Sequence, residues 1–172
     1  MRQAGPDDAE ACAAIYAPYV RETAISFELE PPTAEQMQAR IEAALRTHTW
    51  VVLEEDGRVV GYAYGGPLHA RAAYRWSCEV SVYVEAGRRR SGVGRALYEA
   101  LFARLAERGY VRAVAGMTLP NESSAALHRA LGFESVGVYR EIGFKFDAWH
   151  DVEMLQRSLV EAEASGPPRE PR

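Results

Sequence analysis

The spacing of apolar residues along the chain changes period several times, and each change marks an element. Trp50 to Glu54 and Val59 to Gly65 are apolar runs flanking Asp56-Gly57, which predicts two antiparallel strands joined by a hairpin turn; Gly65-Gly66-Pro67 is expected to stop the second. From Glu79 the pattern alternates, with Val80, Val82 and Val84 on one face of a strand and Glu79, Ser81 and Tyr83 on the other. The period then becomes helical at Val93, Leu97, Leu101 and Leu105, and Gly109 is placed to close that helix. Val111 to Thr118 returns as a strand parallel to the Glu79 strand. Asn121 is a good N-cap for another helix, with Glu122 suited to its first turn, Leu127 and Leu131 as its buried stripe and Gly132 as its end. Strands from Glu134 to Ile142 and from Asp151 to Ser158 complete the set.

Upstream of the hairpin, a short first strand precedes a helix capped by Asp7 and Asp8, with Cys12, Ile15, Tyr16 and Tyr19 on its apolar face and Pro18 close to its end. A loop through Ser26-Phe27-Glu28 leads to a second helix. There Thr33 and Gln36 have capping-box spacing, and Met37, Ile41 and Leu45 repeat every four residues. The order implies an α/β (α+β) domain over residues 1–160, with a mixed central sheet of about seven strands and helices on both faces. Residues 161–172 have no apolar periodicity and are expected to be a disordered tail.

At 172 residues the chain suits one domain. Its 20 basic and 24 acidic side chains leave a net charge of -4, which argues against a general nucleic-acid partner and makes the arginines near residue 89 a local feature. Cys12 and Cys78 lack CxxC spacing and sit in apolar patterns, so buried free thiols are expected, in keeping with a reducing compartment. None of the four histidines forms a metal-ligand pair with a neighbour, and no metal is expected; His48 and His69 look like surface residues and His150 like a turn residue. No run has the length of a membrane span and the N-terminus lacks the hydrophobic region of a signal peptide, so a cytoplasmic protein with no membrane partner is expected.

Chemistry concentrates where the Glu79 strand gives way to the helix beginning near Val93. The connection carries Arg88, Arg89 and Arg90, then Ser91, Gly92, Val93, Gly94 and Arg95. Unpaired helix amides, the positive end of the dipole and guanidinium groups meet there, a setting for a diphosphate. No Lys-Ser or Lys-Thr follows the glycines, which excludes a P-loop. Leu97 stands where a dinucleotide fingerprint needs its third glycine. The remaining pattern, Arg89-x-x-Gly92-x-Gly94 after a valine-rich strand, resembles the coenzyme A pyrophosphate loop of the GNAT-type N-acetyltransferases. A purely structural turn with solvated arginines is the alternative.

A wider set of words sharpens this. Gly66-Pro67, Ala70-Arg71, Ala73-Tyr74, Trp76, Glu79, Val82-Tyr83-Val84, Leu119-Pro120-Asn121, His128 with Leu131-Gly132-Phe133, Gly143-Phe144-Lys145 and Trp149-His150-Asp151-Val152 together resemble the phosphinothricin acetyltransferases, whose relatives acetylate methionine sulfoximine. The resemblance implies a GNAT fold with splayed central parallel strands, acetyl-CoA as co-substrate, a homodimer, and transfer to the α-amino group of a small glutamate-like amino acid. It also places the catalytic glutamate at Glu79 and the pantetheine arm on Asn121.

An ammonium acceptor must lose a proton before its nitrogen can attack, and Glu79 is the candidate base; a carboxylate merely paired with Arg75 is the alternative. His128 stands where many GNAT enzymes have a tyrosine, and base, relay, acid for the departing sulfur and structural histidine all remain open. Helical geometry puts it on one ridge with Asn121 and Ser124, facing one cleft. Val82, Tyr83 and Val84 are expected to meet the pantetheine, and a bulge there could turn Ser81 or Tyr83 to the opposite face. Arg71 is the expected partner of an acceptor carboxylate, with Phe27, Tyr74 and Ser81 around it. Cys78 should point away from Glu79, which disfavours an acyl-enzyme route.

Overall fold

A computed structural model describes residues 1–88, 91–160 and 170–171. Seven strands form one sheet in the order β1-β2-β3-β4-β5-β7-β6: β1 Arg2–Gln3, β2 Trp50–Glu55, β3 Arg58–Pro67, β4 Ser77–Val84, β5 Arg112–Thr118, β6 Glu134–Lys145 and β7 Ala148–Ser158. All neighbours pair antiparallel except β4 and β5. Helices α1 (Ala9–Glu22) and α2 (Ala34–Thr47) cover one face, burying Cys12, Ile15, Tyr16, Val20, Met37 and Ile41 against Trp50, Val52 and Tyr62. Helix α3 (Val93–Glu107) covers the other through Val93, Leu97, Leu101 and Leu105, together with Leu131 and Phe133 beyond α4 (Glu122–Ala130). Two apolar layers on one two-faced sheet are what the alternating strand pattern requires.

Local chemistry sets most of the boundaries. Thr33 Oγ1 accepts from the Gln36 amide at 3.2 Å and Gln36 Oε1 accepts from the Thr33 amide at 2.9 Å, a closed capping box at the start of α2. Asn121 Oδ1 accepts from the Ser124 amide at 3.1 Å and starts α4.

Several boundaries differ from the sequence expectation. Asp8 caps no amide of α1; its carboxylate grips Arg2 and the Gly5 amide instead, after a single 3-10 turn at Pro6–Asp8. Helix α1 runs four residues past Pro18. β3 runs two residues past Gly65 and ends at Pro67, pairing Gly66 with Glu79 and Pro67 with Cys78. β6 and β7 reach three residues further towards each other and meet in a turn at Phe146-Asp147, both at positive φ, which nothing in the apolar pattern announces because neither is glycine or asparagine. His48 is buried rather than superficial, stacked on Tyr110 with ring centroids 4.7 Å apart. The expected tail lies largely outside the described residues; within it, Glu170 takes two hydrogen bonds from Arg75.

Candidate active site

The site is built where β4 and β5 part. Their ladder holds only three rungs, Ser77 to Arg112, Cys78 to Ala113 and Glu79 to Val114, although β4 continues to Val84 and β5 to Thr118. Beyond Glu79 the inner edge of β4 is therefore released from its parallel neighbour. β4 has no bulge against β3, so simple alternation holds: Glu79, Ser81 and Tyr83 share the α1/α2 face, while Cys78 and Val80 are buried on the α3 face.

A cavity of about 360 Å³ occupies this opening. Val82 and Val84 supply its strand wall, Ser91, Gly92, Gly94 and Arg95 its phosphate-loop end, and Asn121 and Ser124 its far side. Gly92 stands at φ 84°, a left-handed conformation that L side chains rarely adopt, and it starts α3 at the cavity wall, where the first-turn amides of a helix lack partners within it. Those donors and the apolar slot behind them suit a pyrophosphate with a long arm. Arg89 and Arg90 lie outside the described residues. Arg88 is committed to Glu85 and Glu55, and Arg95 pairs with Glu99 at 2.8 Å.

Tyr83 is not in this cavity. Its ring packs among Tyr16, Tyr19 and Tyr62 at 4.7 to 5.5 Å. Tyr19, which the apolar pattern gave only as a helix face, takes part instead: its hydroxyl donates to the Val84 carbonyl at 2.7 Å and lines the cavity with Ile25 and Leu127. No sequence signal marks Tyr19, because its role comes from α1 crossing β4.

On the opposite face Glu79 keeps solvent access while surrounding protein raises its pKa above the ordinary value of 4.5; desolvation is the cause, and the nearby charge of His69 partly offsets it. His69, expected as a bland surface residue, packs edge-on against Tyr74 at 4.7 Å and belongs to this neighbourhood. Ser81 is the register partner of Tyr64 on β3. Arg71 is exposed and forms no ion pair among the described residues, whereas Arg75 is held by Glu170 and lies over the Trp76 ring at 3.8 Å. Phe27 stands apart from this group in the described contacts, against Gly143 and His150. A second cavity of about 450 Å³ opens on the same face, under α2 and lined by Arg40, Trp50, Tyr64 and Gly66, the last being the register partner of Glu79.

Asn121 and Ser124 line the coenzyme-sized cavity, but His128, expected to face the same cleft, does not line it and is buried beneath the ridge. It is 4% exposed; its Nδ1–H donates to the Ser124 carbonyl at 2.8 Å, and its Nε2 faces the Tyr98 hydroxyl at 3.4 Å. Burial lowers its pKa below 6.5, which disfavours the charged imidazolium, and the hydrogen bond to the Ser124 carbonyl partly offsets this. Cys78, by contrast, is pushed up to about 12 by burial, and its thiol donates to the Arg112 carbonyl at 3.5 Å. Among the described residues no group of three or more His, Cys, Asp or Glu side chains could hold a metal, and no helix is long and apolar enough to cross a membrane.

The fold that carries this site is shared with known proteins. The acetyltransferase (GNAT) domain model matches residues 1–154. The chain belongs to the GNAT acetyltransferase family. A phosphinothricin N-acetyltransferase of Streptomyces viridochromogenes is 37% identical over 169 residues, covering 98% of this chain and 91% of the relative. An L-methionine sulfoximine/L-methionine sulfone acetyltransferase of Pseudomonas paraeruginosa is 34% identical, covering 92% and 94%. Among solved structures, a phosphinothricin acetyltransferase of Sinorhizobium meliloti in complex with AcCoA superposes with a TM-score of 0.91 at 36% identity, over 96% of this chain and 91% of that one. The GNAT membership makes the chain an acyltransferase.

Proposed function

We propose that this GNAT enzyme transfers acetyl from acetyl-CoA to the α-amino group of a small glutamate-like amino acid, of the phosphinothricin or methionine sulfoximine type. Acetyl-CoA supplies an activated thioester; the chain supplies the rest. Val82 and Val84 present strand backbone to the pantetheine, with Tyr19 already engaging Val84. Gly92, Val93, Gly94 and Arg95 receive the pyrophosphate, with Ser91, Arg89 and Arg90 in the same loop, and Asn121 and Ser124 close the far wall.

The observation that carries the reading is Glu79 at the last rung of the β4–β5 ladder. It stands where the opening begins, and desolvation raises its pKa towards the range of an effective base. Glu79 takes a proton from the acceptor ammonium, the freed amine attacks the thioester carbonyl directly, and the coenzyme leaves as its thiol. Cys78, protonated and buried on the other face, offers no acyl-enzyme route. His128 serves as the second proton-handling residue, its Nε2 facing the Tyr98 hydroxyl at 3.4 Å. Arg71 holds the acceptor carboxylate, with Tyr74 and Ser81 beside its side chain. Phe27, which rests on Gly143 and stands apart from these three in the described contacts, bounds the acceptor from the β6–β7 side.

The reading includes a homodimer. Val136, Tyr139, Ile142, Phe144, Phe146 and Trp149 of the β6–β7 hairpin are each more than half exposed, and so many large apolar side chains on one hairpin suit a subunit contact. Residues 1–160 act as one catalytic domain in the cytoplasm. The deciding experiment is a thiol-release assay with acetyl-CoA against phosphinothricin, methionine sulfoximine, methionine sulfone, common amino acids, an N-terminal peptide and spermidine. Turnover confined to the peptide or the polyamine would replace the acceptor assignment. Coenzyme binding without thiol release across the panel would point to an acyl-CoA-sensing module.

A further inference from the structure

The segment joining α1 to α2 contributes Ile25 to the coenzyme-sized cavity and Phe27 to the proposed acceptor wall. Residues 23–30 belong to no helix or strand, so side-chain contacts decide where they sit. One set of contacts comes from the far end of β6. Lys145 is 4% exposed, and its Nζ donates to the carbonyls of Val20 at 2.6 Å, Thr23 at 3.0 Å and Ser26 at 2.7 Å. An ammonium has three donors, and all three are spent on this turn of backbone.

Lys145 forms no ion pair among the described residues. Burying an ammonium is costly, and an apolar side chain would fill the space without that cost; the Glu28 charge, beyond ion-pair distance, and the Phe146 ring 5.0 Å from Nζ offset part of it. What the charge gains is the negative end of α1 together with carbonyls that the helix end and the loop leave unpaired. Two residues earlier on the same face of β6 is Gly143. A Cβ there would lie 2.2 Å from Phe27 Cε2 and 2.4 Å from its Cζ, so the ring rests on bare backbone. Phe144, between them, turns outward against Trp149. The loop's other side is held by Tyr16, whose hydroxyl meets Ser26 Oγ at 2.7 Å and Glu28 at 2.9 Å, and by Arg40 on both Glu28 oxygens.

We infer that Lys145 is a positioning residue for the acceptor: with Gly143 as the seat for Phe27, it locks the α1–α2 loop against the β6–β7 hairpin and so sets the fit of the amino acid. The inference rests on the reading of Phe27 as part of the acceptor wall. The test uses the full-length protein with Lys145→Met and Gly143→Ala, each alone and combined with Phe27→Ala. Thiol release is measured with acetyl-CoA and L-phosphinothricin or L-methionine sulfone, and amide hydrogen exchange is followed across residues 23–30.

Lys145→Met is expected to raise the acceptor KM about tenfold or more, with a smaller change in kcat, and to speed exchange in residues 23–30 while the central strands stay protected. Gly143→Ala is expected to raise the acceptor KM when Phe27 is present and to do nothing further in the Phe27→Ala background. Equal effects in both backgrounds, or an unchanged KM and unchanged exchange in Lys145→Met, would overturn the inference. If Lys145→Met does not fold, the Gly143 and Phe27 cycle decides alone. If the wild-type protein acetylates neither amino acid, the acceptor reading fails, and exchange in residues 23–30 still decides whether Lys145 holds the loop.

Discussion

Cys78 and Glu79 are neighbours in the chain and face opposite layers, and that single step of the strand separates a packing residue from a chemical one. Glu79→Gln keeps the shape and removes the base, so kcat is expected to fall by about a hundredfold or more while acetyl-CoA affinity stays unchanged; steady-state kinetics and calorimetry check this. Cys78→Ala should retain turnover and show no change in pre-steady-state burst. His48 carries a stability prediction. Burial, reinforced by the Arg108 charge, lowers its pKa from 6.5 to about 4. The unfolded chain binds the proton at the ordinary value, so this contribution is complete above pH 6.5 and is lost as the pH falls towards 4, by up to about 3 kcal/mol. Urea unfolding across that range should show a shallower slope for His48→Asn. Glu79 and Cys78 were legible because alternation puts neighbours on opposite faces. His48 was not, because its burial comes from Tyr110, sixty-two positions away, stacking on it.

At the level of elements, the start of α3 is the most exacting. Gly92→Ala puts a side chain at φ 84°, at a cost of about 1–2 kcal/mol, and misdirects the first amides of the helix. Acetyl-CoA KM should rise with little change in acceptor KM, a split that separate substrate titrations resolve. The α2 capping box is the contrasting case. Thr33→Ala should cost about 1 kcal/mol in urea unfolding and leave kinetics unchanged, since it touches neither cavity. Helix periods and caps were readable because they arise within a few residues. The end of β3 and the turn of the β6–β7 hairpin were not. Pro67 remains in the sheet because it is the terminal rung, where a missing donor costs little, and Phe146-Asp147 turns without the usual residues because the paired strands on either side hold it.

Across the whole molecule, the exposed apolar side chains of the β6–β7 hairpin set the assembly prediction. Sedimentation should give twice the chain mass, and Phe144→Glu with Trp149→Glu should give the chain mass alone. A wild-type monomer would remove the homodimer from the reading. The sequence by itself determined the sheet's two-faced pattern, the glycine-started helix after the valine-rich strand, and the place of Glu79 on it, because period, capping and turn chemistry act between residues close in the chain. It also carried the words that mark the family. Only the tertiary structure decided that β4 leaves β5 after three rungs, that Tyr19 reaches Val84, that Tyr83 faces away from the cavity, and that Lys145 binds the end of α1. Those contacts join residues 35 to 125 positions apart, and which backbone groups are left unpaired is known only once the sheet and its helices are in place.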